Sequence, residues 1–461
     1  MKIPPHSFLS RSIREKPWGE KVSRILAAAL AAVDPDSLIK DFLTRENNRL
    51  CLPGHEIDLE SFSRIFLLGI GKAALSMSTS LEDLIGDRLT EGYILTKKGQ
   101  SHLPENSPRK LRIFSGGHPV PDKDGLQATE EILDRLLSLN EDDLVIVLIS
   151  GGSSALFTQP AEGISLADLR KTNQILLSCG ADIREMNTIR KHLSQVKGGG
   201  LAKILYPAQI LTLILSDVIG DPVDMIGSGP TTPDPSTFSD TLAVIGKYDL
   251  KDRLPEPVLA RLNQGVQGSL PETPKAEDPC FKYVISLILA NNRIALEAGI
   301  AQAKAEGFST RILPDLLKGE ACTVGADLAH RLADLAQEGN PFPRPACLIT
   351  GGETTVTLTN ITKPGLGGRN LETALSALPL LAGLEDIALI TLATDGEDGL
   401  TNSAGAVVTG ESYQLCQKLG LDPESYLQNH DSYTLFENLD DLLLIGQTGT
   451  NVNDLCFMFA F

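Results

Sequence analysis

The sequence predicts an α/β protein of two domains, with parallel sheets covered by helices on both faces. Three observations carry that expectation. The chain has 461 residues, too many for one ordinary hydrophobic core. Short apolar runs alternate with helical patterns of roughly 10–20 residues along most of its length, the rhythm of right-handed βαβ units. Glycine-rich strings follow several of those runs, at the strand ends where an open α/β sheet binds its ligands.

In chain order the strand candidates are Ile65–Gly69, Gly92–Thr96, Arg112–Ser115, Leu144–Ser150 and Ile210–Ser216. Cys280–Ala290, Arg311–Pro314, Ala346–Thr350, Thr354–Thr359, Ile387–Ala393 and Leu442–Gly446 follow. Between them lie helical patterns over Lys72–Leu84, Lys123–Ser138, Ser165–Ser178, Asn292–Glu306, Glu320–Glu338 and Asn370–Leu381. The polar stretch 249–279 carries Pro255, Pro257, Pro271, Pro274 and Pro279 among charges, which suits a connection or surface excursion better than a central strand. The expected domains are therefore 1–255 and 256–461.

Composition narrows the function classes. Apolar residues make up 42% and charged residues 22%, a balance that excludes a disordered chain. A net charge of −18 argues against a nucleic-acid partner, which requires a basic surface. An anionic ligand must then be met by particular lysines, arginines and backbone amides. No segment reaches the roughly 18 apolar residues of a membrane span, so no membrane partner is expected. Met1 to Trp18 mixes prolines with charges and lacks a signal-peptide core. The seven cysteines form no C-x-x-C pair, so reduced thiols and a cytoplasmic location are expected. The histidines lack metal-ligand spacing, which argues against structural zinc.

The first glycine string, Gly69-Ile-Gly71-Lys72-Ala-Ala, runs from a strand candidate into a helix. Ser150-Gly151-Gly152-Ser153-Ser154 does the same, Gly351-Gly352-Glu353 follows a third strand, and Gly365-Leu-Gly367-Gly368-Arg369-Asn370 opens another helix. Each is expected to present bare backbone N–H groups at a helix N-terminus, where partial positive charge favours phosphate or carboxylate. A tight turn is the ordinary explanation of any one string. Several in one chain, some carrying a Lys, Arg or Asp, point to a phosphate-handling cleft. The first also fits the dinucleotide fingerprint G-x-G-x-x-[GA], yet Thr96-Lys97-Lys98 stands where a ribose-binding carboxylate belongs. A nicotinamide site is thereby unsupported, although an NADP-like variant stays open. Lys72 at a helix N-terminus, where a cation is disfavoured, fits better beside a bound polyphosphate. Neither a Walker A string nor the protein-kinase set is present.

Two apolar strands lead into aspartates, Asp217 and Asp395. Such carboxylates hold Mg²⁺ or take a proton from an attacking hydroxyl; alternatively they close an Asx turn or cap a helix. Asp221 and Asp398, each beside a Pro or Gly, read as turn or cap residues. Arg190 and Lys197 lie at i, i+7 in the densest basic stretch and would share a helix face. A solvated face competes with an anion clamp there. His118 and His192 read as turn or packing residues.

These strings, in this order, resemble the glycerate 2-kinase family whose C-terminal domain is of the MOFRL type. The likeness rests on Gly69–Ala74, Ser115–Asp122, Ser150–Leu156, Met186–Ala202, Ser216–Asp234, Thr350–Thr357, Gly365–Glu372, Ala393–Val407 and Leu444–Leu455. Those segments span nearly the whole chain; Ser-Asp-Val-Ile-Gly-Asp and Thr-Gly-Thr-Asn-Val-Asn-Asp are especially specific. The resemblance implies a Rossmann-like N-terminal domain, a MOFRL-type α/β domain and an active site in the interdomain cleft. It implies ATP-dependent phosphorylation of D-glycerate to 2-phosphoglycerate with Mg²⁺ or another divalent cation. On the family pattern Lys72 and Arg369 are the catalytic cations. Asp217 and Asp395 are their acidic partners, one orienting the C2 hydroxyl and the other near the metal. Gly69, Gly71, Gly151, Gly152, Ser153, Ser154, Arg190, Lys197, Glu353, Gly367, Gly368 and Asn370 would contact substrate or nucleotide. Ser153, Leu371, Asn402 and Gln447 depart from the family pattern. The alternatives are an NAD(P)H-dependent hydroxypyruvate reductase and a non-catalytic sensor of phosphorylated metabolites.

Overall fold

Apolar runs without polar alternation form strands buried on both faces, and they set the architecture of one compact unit, residues 38–289. The computed structural model describes residues 3–99, 110–314, 317–339, 341–358 and 363–461. A small antiparallel sheet of β1 (Thr44–Glu46), β2 (Arg49–Leu52) and β3 (His55–Asp58) precedes a six-stranded sheet. The latter comprises β4 (Arg64–Ile70), β5 (Glu91–Lys97), β6 (Leu111–Gly116), β7 (Asp143–Ile149), β8 (Gln209–Leu215) and β9 (Val284–Ala290). Its spatial order is β6-β5-β4-β7-β8-β9, paired in parallel from β6 across to β8. Counted within the sheet this is 3-2-1-4-5-6, the doubly wound order, reversing between β4 and β7. The expected parallel sheet is thus present. Every residue of β7 is buried, and Phe66, Leu68, Val145, Val147 and Ile210 pack together on one face.

The stretch 249–279 holds no strand, as expected, but it is more than a connection or surface excursion. It contains the helix Glu256–Val266, entered through Pro255 and carrying Pro257 in its first turn, where a missing N–H is harmless. Val258 and Leu262 pack with Phe238 and Ile245. A Cβ on Gly265 would come within 2.2 Å of the Phe238 ring. The chain leaves this unit at residue 289, beyond the expected 255/256 boundary.

The second unit joins residues 1–37 to 290–461, so the N-terminal segment belongs with the C-terminal half. Its sheet comprises β10 (Ser309–Ile312), β11 (Leu317–Glu320), β12 (Ala346–Thr355), β13 (Ile387–Ala393), β14 (Val407–Thr409) and β15 (Asp454–Ala460). The order is β10-β12-β15-β13-β14, with β11 pairing the far end of β12. This sheet is mixed, because β15 lies antiparallel between β12 and β13. The strand/helix rhythm suggested parallel pairing throughout; β15, inserted antiparallel between its neighbours, and β14, antiparallel to β13, break it. Leu442–Gly446 makes only a bridge, Leu442 with Ala406. The candidates Ala346–Thr350 and Thr354–Thr359 fuse into β12, with Thr359 outside the described residues. Among the described residues no helix is long and apolar enough to cross a membrane.

The N-terminal segment is held to this unit by specific contacts. Trp18 stacks on Phe461 with ring centroids 4.3 Å apart, and Arg24 pairs with Glu306 at 2.7 Å. Asp441, fully buried, accepts hydrogen bonds at 2.7 Å from both the Ser12 N–H and the Arg11 guanidinium. Removing that carboxylate leaves buried donors unmatched. Asp441→Ala is therefore expected to destabilise this unit by about 1–3 kcal/mol. The measurement is urea unfolding followed by fluorescence of Trp18, the one tryptophan in the chain; an unchanged midpoint would contradict this account of the N-terminal anchor.

Candidate active site

The strand order brings two glycine strings side by side, because β4 and β7 are neighbours where the sheet reverses. They interlock. Ser150 N donates to Ile70 O at 3.0 Å, Lys72 N to Gly151 O at 2.9 Å, and Ala73 N to Ser150 Oγ at 3.0 Å. A Cβ on Gly71, whose φ is +123°, would stand 2.3 Å from Ser150 Oγ, so only glycine passes there. Gly71 N also donates inward, to Leu95 O at 3.1 Å. The first string therefore does not offer the bare amides expected of it, and Gly69 lies within β4 against Ser78. The second string differs. Among the described residues the N–H groups of Gly151 and Gly152 donate to no partner. A Cβ on Gly152 would lie 2.9 Å from the His118 ring and 3.6 Å from Lys72 Cγ, so Lys72 and His118 converge on this string.

Adjoining it is a cavity of about 160 Å³ whose lining includes His118, Gly152, Ser154, Asn173, Arg190 and Lys197. The helix Ile183–His192 ends before Lys197, so the two cations do not share a helix face as expected. They meet instead across the cavity. Arg190 donates through Nε to Asn173 Oδ1 at 2.7 Å, and Lys197 donates to Ser154 O at 2.5 Å. A solvated face is excluded, since Lys197 is only 6% exposed. Burial, reinforced by the positive charge of Arg190, pushes the Lys197 ammonium down to about 7. Asp217 follows the end of β8, half-buried, one strand over from β7. Asp221 occupies a left-handed turn position with φ of 53°, the turn role expected of it. His192 packs edge-on against Phe238 and meets Glu272 at 3.1 Å, a structural role. Lys98 is engaged by Asp122 and Asp124.

In the second unit the strand register places Asp454 opposite both Gly352 of β12 and Ala393 of β13. Glu353, Asp395 and Asp454 consequently come to one end of the sheet. Arg369 reaches them from the first residue of the helix Arg369–Ala377. Its Nε donates to Asp454 Oδ2 at 2.6 Å, one Nη donates to Oδ1 at 3.3 Å, and the other pairs with Glu353. Burial works against the guanidinium charge, but Asp454 and Glu353 outweigh it and hold the group above its ordinary range. Asp454 was not singled out from sequence, although it closes the Thr-Gly-Thr-Asn-Val-Asn-Asp string on which the resemblance rests.

Two of the glycine strings in this unit differ from expectation. Gly351 and Gly352 lie inside β12, not at a helix start. A Cβ on Gly351 would strike the Asn292 side chain, whose amide donates to Val452 O and Asp454 O at 2.8 and 3.1 Å. At the start of Arg369–Ala377, Asn370 N and Leu371 N donate to Asp398 at 3.1 and 2.8 Å. The anion expected at that helix terminus is the chain's own carboxylate, and Asp398 is the cap its setting suggested. Gly368 leaves room for it, a Cβ there falling 2.3 Å from Asp398 Cγ. Asp395 accepts from Glu397 N at 3.2 Å in a local turn. Of the four departures, Ser153 stays in the glycine string of the first unit, whereas Leu371 is in the core, Asn402 accepts from Tyr433, and Gln447 donates to Glu397. Among the described residues no group of three or more His, Cys, Asp or Glu is placed to hold a metal.

A doubly wound sheet carrying a cation-lined cavity, together with a mixed sheet carrying a carboxylate-bound arginine, defines an α/β protein equipped to hold anions. Residues 21–263 match the family described as a domain of unknown function, DUF4147, and residues 346–454 match the MOFRL family. The chain is 38% identical over 432 residues to the glycerate 2-kinase of Pyrococcus horikoshii, covering 94% of this chain and 95% of that one. It is 40% identical over 432 residues to an Agrobacterium vitis protein provisionally named hydroxypyruvate reductase, covering 94% and 92%. The crystal structure of a glycerate kinase from Thermotoga maritima matches with a TM-score of 0.82 and 37% identity, covering 95% of this chain and 98% of that one. The chain belongs to the glycerate kinase family, with a DUF4147 N-terminal domain and a MOFRL C-terminal domain.

The Asp398 cap has a measurable consequence. Burial pushes its carboxyl up to about 7, against the pull of the two backbone N–H groups. The folded chain then keeps a proton that the unfolded chain releases near pH 4, so this group lowers stability as pH rises from about 4 to 7. Its slope is at most ~1.4 kcal/mol per pH unit. Asp398→Asn, which removes the titration, is expected to flatten the wild-type dependence of the urea midpoint across that window. Parallel curves for the two proteins would refute the assignment.

Proposed function

We propose that this chain is an ATP-dependent glycerate 2-kinase that converts D-glycerate to 2-phospho-D-glycerate and ADP. The observation that carries the reading is likeness along 94% of the chain to a protein named glycerate 2-kinase. The chemistry is consistent with what the residues offer. Phosphoryl transfer depends on positioning and on neutralising charge over the transferred group. In this reading the C2 hydroxyl oxygen of glycerate attacks the γ-phosphorus, its proton passes to a carboxylate, and the bond to the β-phosphate oxygen breaks to release ADP. Lys72 and Arg369 are the cations this reading assigns to the developing charge. Asp217 or Asp395 takes the proton, and the other lies near Mg²⁺. Mg²⁺ is commonly held by one or two carboxylates together with nucleotide phosphates, so a protein cage of three ligands is not required. Gly151 and Gly152 supply the free amides of the first unit.

A reductase reading draws support from the provisional name of the Agrobacterium protein. Against it, the amides of Gly71, Lys72 and Ala73, which a dinucleotide pyrophosphate would use, are engaged within the protein.

Incubation with ATP, Mg²⁺ and D-glycerate is expected to yield a product whose phosphate sits on C2 by phosphorus NMR. Lys72→Ala and Arg369→Ala should each lower kcat by roughly 10²–10³-fold while retaining the wild-type circular dichroism spectrum. NADPH oxidation by hydroxypyruvate without any ATP turnover on glycerate would overturn the kinase reading. Full activity in both variants would overturn the roles given to the two cations.

A further inference from the structure

Consecutive residues of one helix are treated in opposite ways. Lys191 is buried between two carboxylates, Asp224 at 3.1 Å and Asp234 at 3.2 Å. His192 has Glu272. Arg190, the residue before them, meets no carboxylate among the described residues; its recorded bond is to the neutral Asn173. Lys197, across the same cavity, is likewise held by a neutral group, the Ser154 carbonyl. A half-buried guanidinium and a buried ammonium thus face one cavity without a carboxylate among the described residues, although the chain carries an excess of acidic residues. Such an arrangement is costly unless an anion enters.

The surroundings fix the kind of anion. A cavity of about 160 Å³ is smaller than the roughly 300–1,000 Å³ of sites that bury drug-sized ligands, so it does not enclose a nucleoside. Its wall is partly apolar, with Leu169 and Leu193, which suits a short carbon chain. Its polar wall is fixed: the Ser154 hydroxyl bonds to that of Ser228 at 2.8 Å, which donates to Asn187 Oδ1 at 3.0 Å. At its rim lie Gly152 and His118, beside Lys72.

Resting on the kinase reading above, we infer that this cavity binds the carboxylate of the three-carbon hydroxy acid, clamped by Arg190 and Lys197, and not the phosphates of the nucleotide. The acid's hydroxyls then point towards the rim, where Lys72 and the Gly151-Gly152 amides stand. Arg190 and Lys197 select the acceptor by its charge, and a neutral polyol of the same size is refused.

Steady-state kinetics of the full chain separate the two substrates. Arg190→Gln and Lys197→Met are expected to raise KM for D-glycerate at least tenfold and to leave KM for ATP within twofold. Arg190→Lys should recover part of the loss. Calorimetric titration adds a readout apart from turnover: wild type binds D-glycerate but not glycerol, and both variants lose the glycerate heat. Thermal melts identify any variant that has failed to fold, in which case Arg190→Lys alone carries the comparison. A rise in KM for ATP with glycerate unaffected would move the cavity to the nucleotide and overturn the inference. Unchanged constants for both substrates would overturn it too, while leaving the kinase reading intact. Wild-type protein that binds glycerate in this cavity yet never phosphorylates it would sink the kinase reading and leave the carboxylate site standing. Absence of both binding and turnover defeats both.

Discussion

The contact between Gly71 and Ser150 is the constraint on which the first unit's site depends. The doubly wound order makes β4 and β7 neighbours, and the chains leaving them must pass where the sheet reverses. They pass so closely that any side chain at Gly71 would overlap Ser150. That closeness turns the amides of Gly71, Lys72 and Ala73 into the protein, where Leu95, Gly151 and Ser150 accept them. The anion-binding amides are thereby transferred to the second string. Lys72 and His118 come to stand against Gly152 for the same reason. A local steric fact in one loop decides which loop keeps amides without a partner among the described residues.

Charge placement explains why the two units differ in chemical character. In the first, the acidic residues are directed to Lys191, His192 and Lys98, and Arg190 and Lys197 are left to a cavity. In the second, carboxylates crowd one arginine. Arg369 is not a mobile cation seeking an anion: its Nε and both Nη groups already donate to Asp454 and Glu353. Its remaining N–H groups are fixed in direction by those bonds, the kind of preorganisation that stabilises developing charge without reorganisation at the moment of reaction.

Much of this was legible in the sequence. The strands from β4 to β8 were found because each is a short, largely apolar run bounded by breakers, and their alternation with helices implied the parallel sheet. β15 was not, since antiparallel insertion between β12 and β13 follows from no local pattern in Asp454–Ala460. The helix Glu256–Val266 was hidden by prolines that mark a helix start as readily as a linker. Arg190 and Lys197 were expected on one helix face, with a solvated face and an anion clamp both open; the helix ends at His192, and the cavity joins them by tertiary packing instead. Asp454 was invisible as a partner of Arg369 because 85 residues separate them.

The glycine strings show where such reading ends. Ser150-Gly151-Gly152-Ser153 and Gly367-Gly368-Arg369-Asn370 look alike as sequence, each free of bulky side chains before a helix. Their difference lies in a distant residue. Asp398 reaches the amides of Asn370 and Leu371 and fills the terminus with the protein's own carboxyl group, whereas among the described residues Gly151 and Gly152 are reached by no such group. A glycine string therefore states only that backbone can be approached closely; whether the approaching anion is internal or foreign depends on where the remaining carboxylates fold. In this protein the same test applied to side chains points one way. No carboxylate among the described residues approaches the half-buried Arg190 or the buried Lys197, and the inferred countercharge is one supplied from outside the chain.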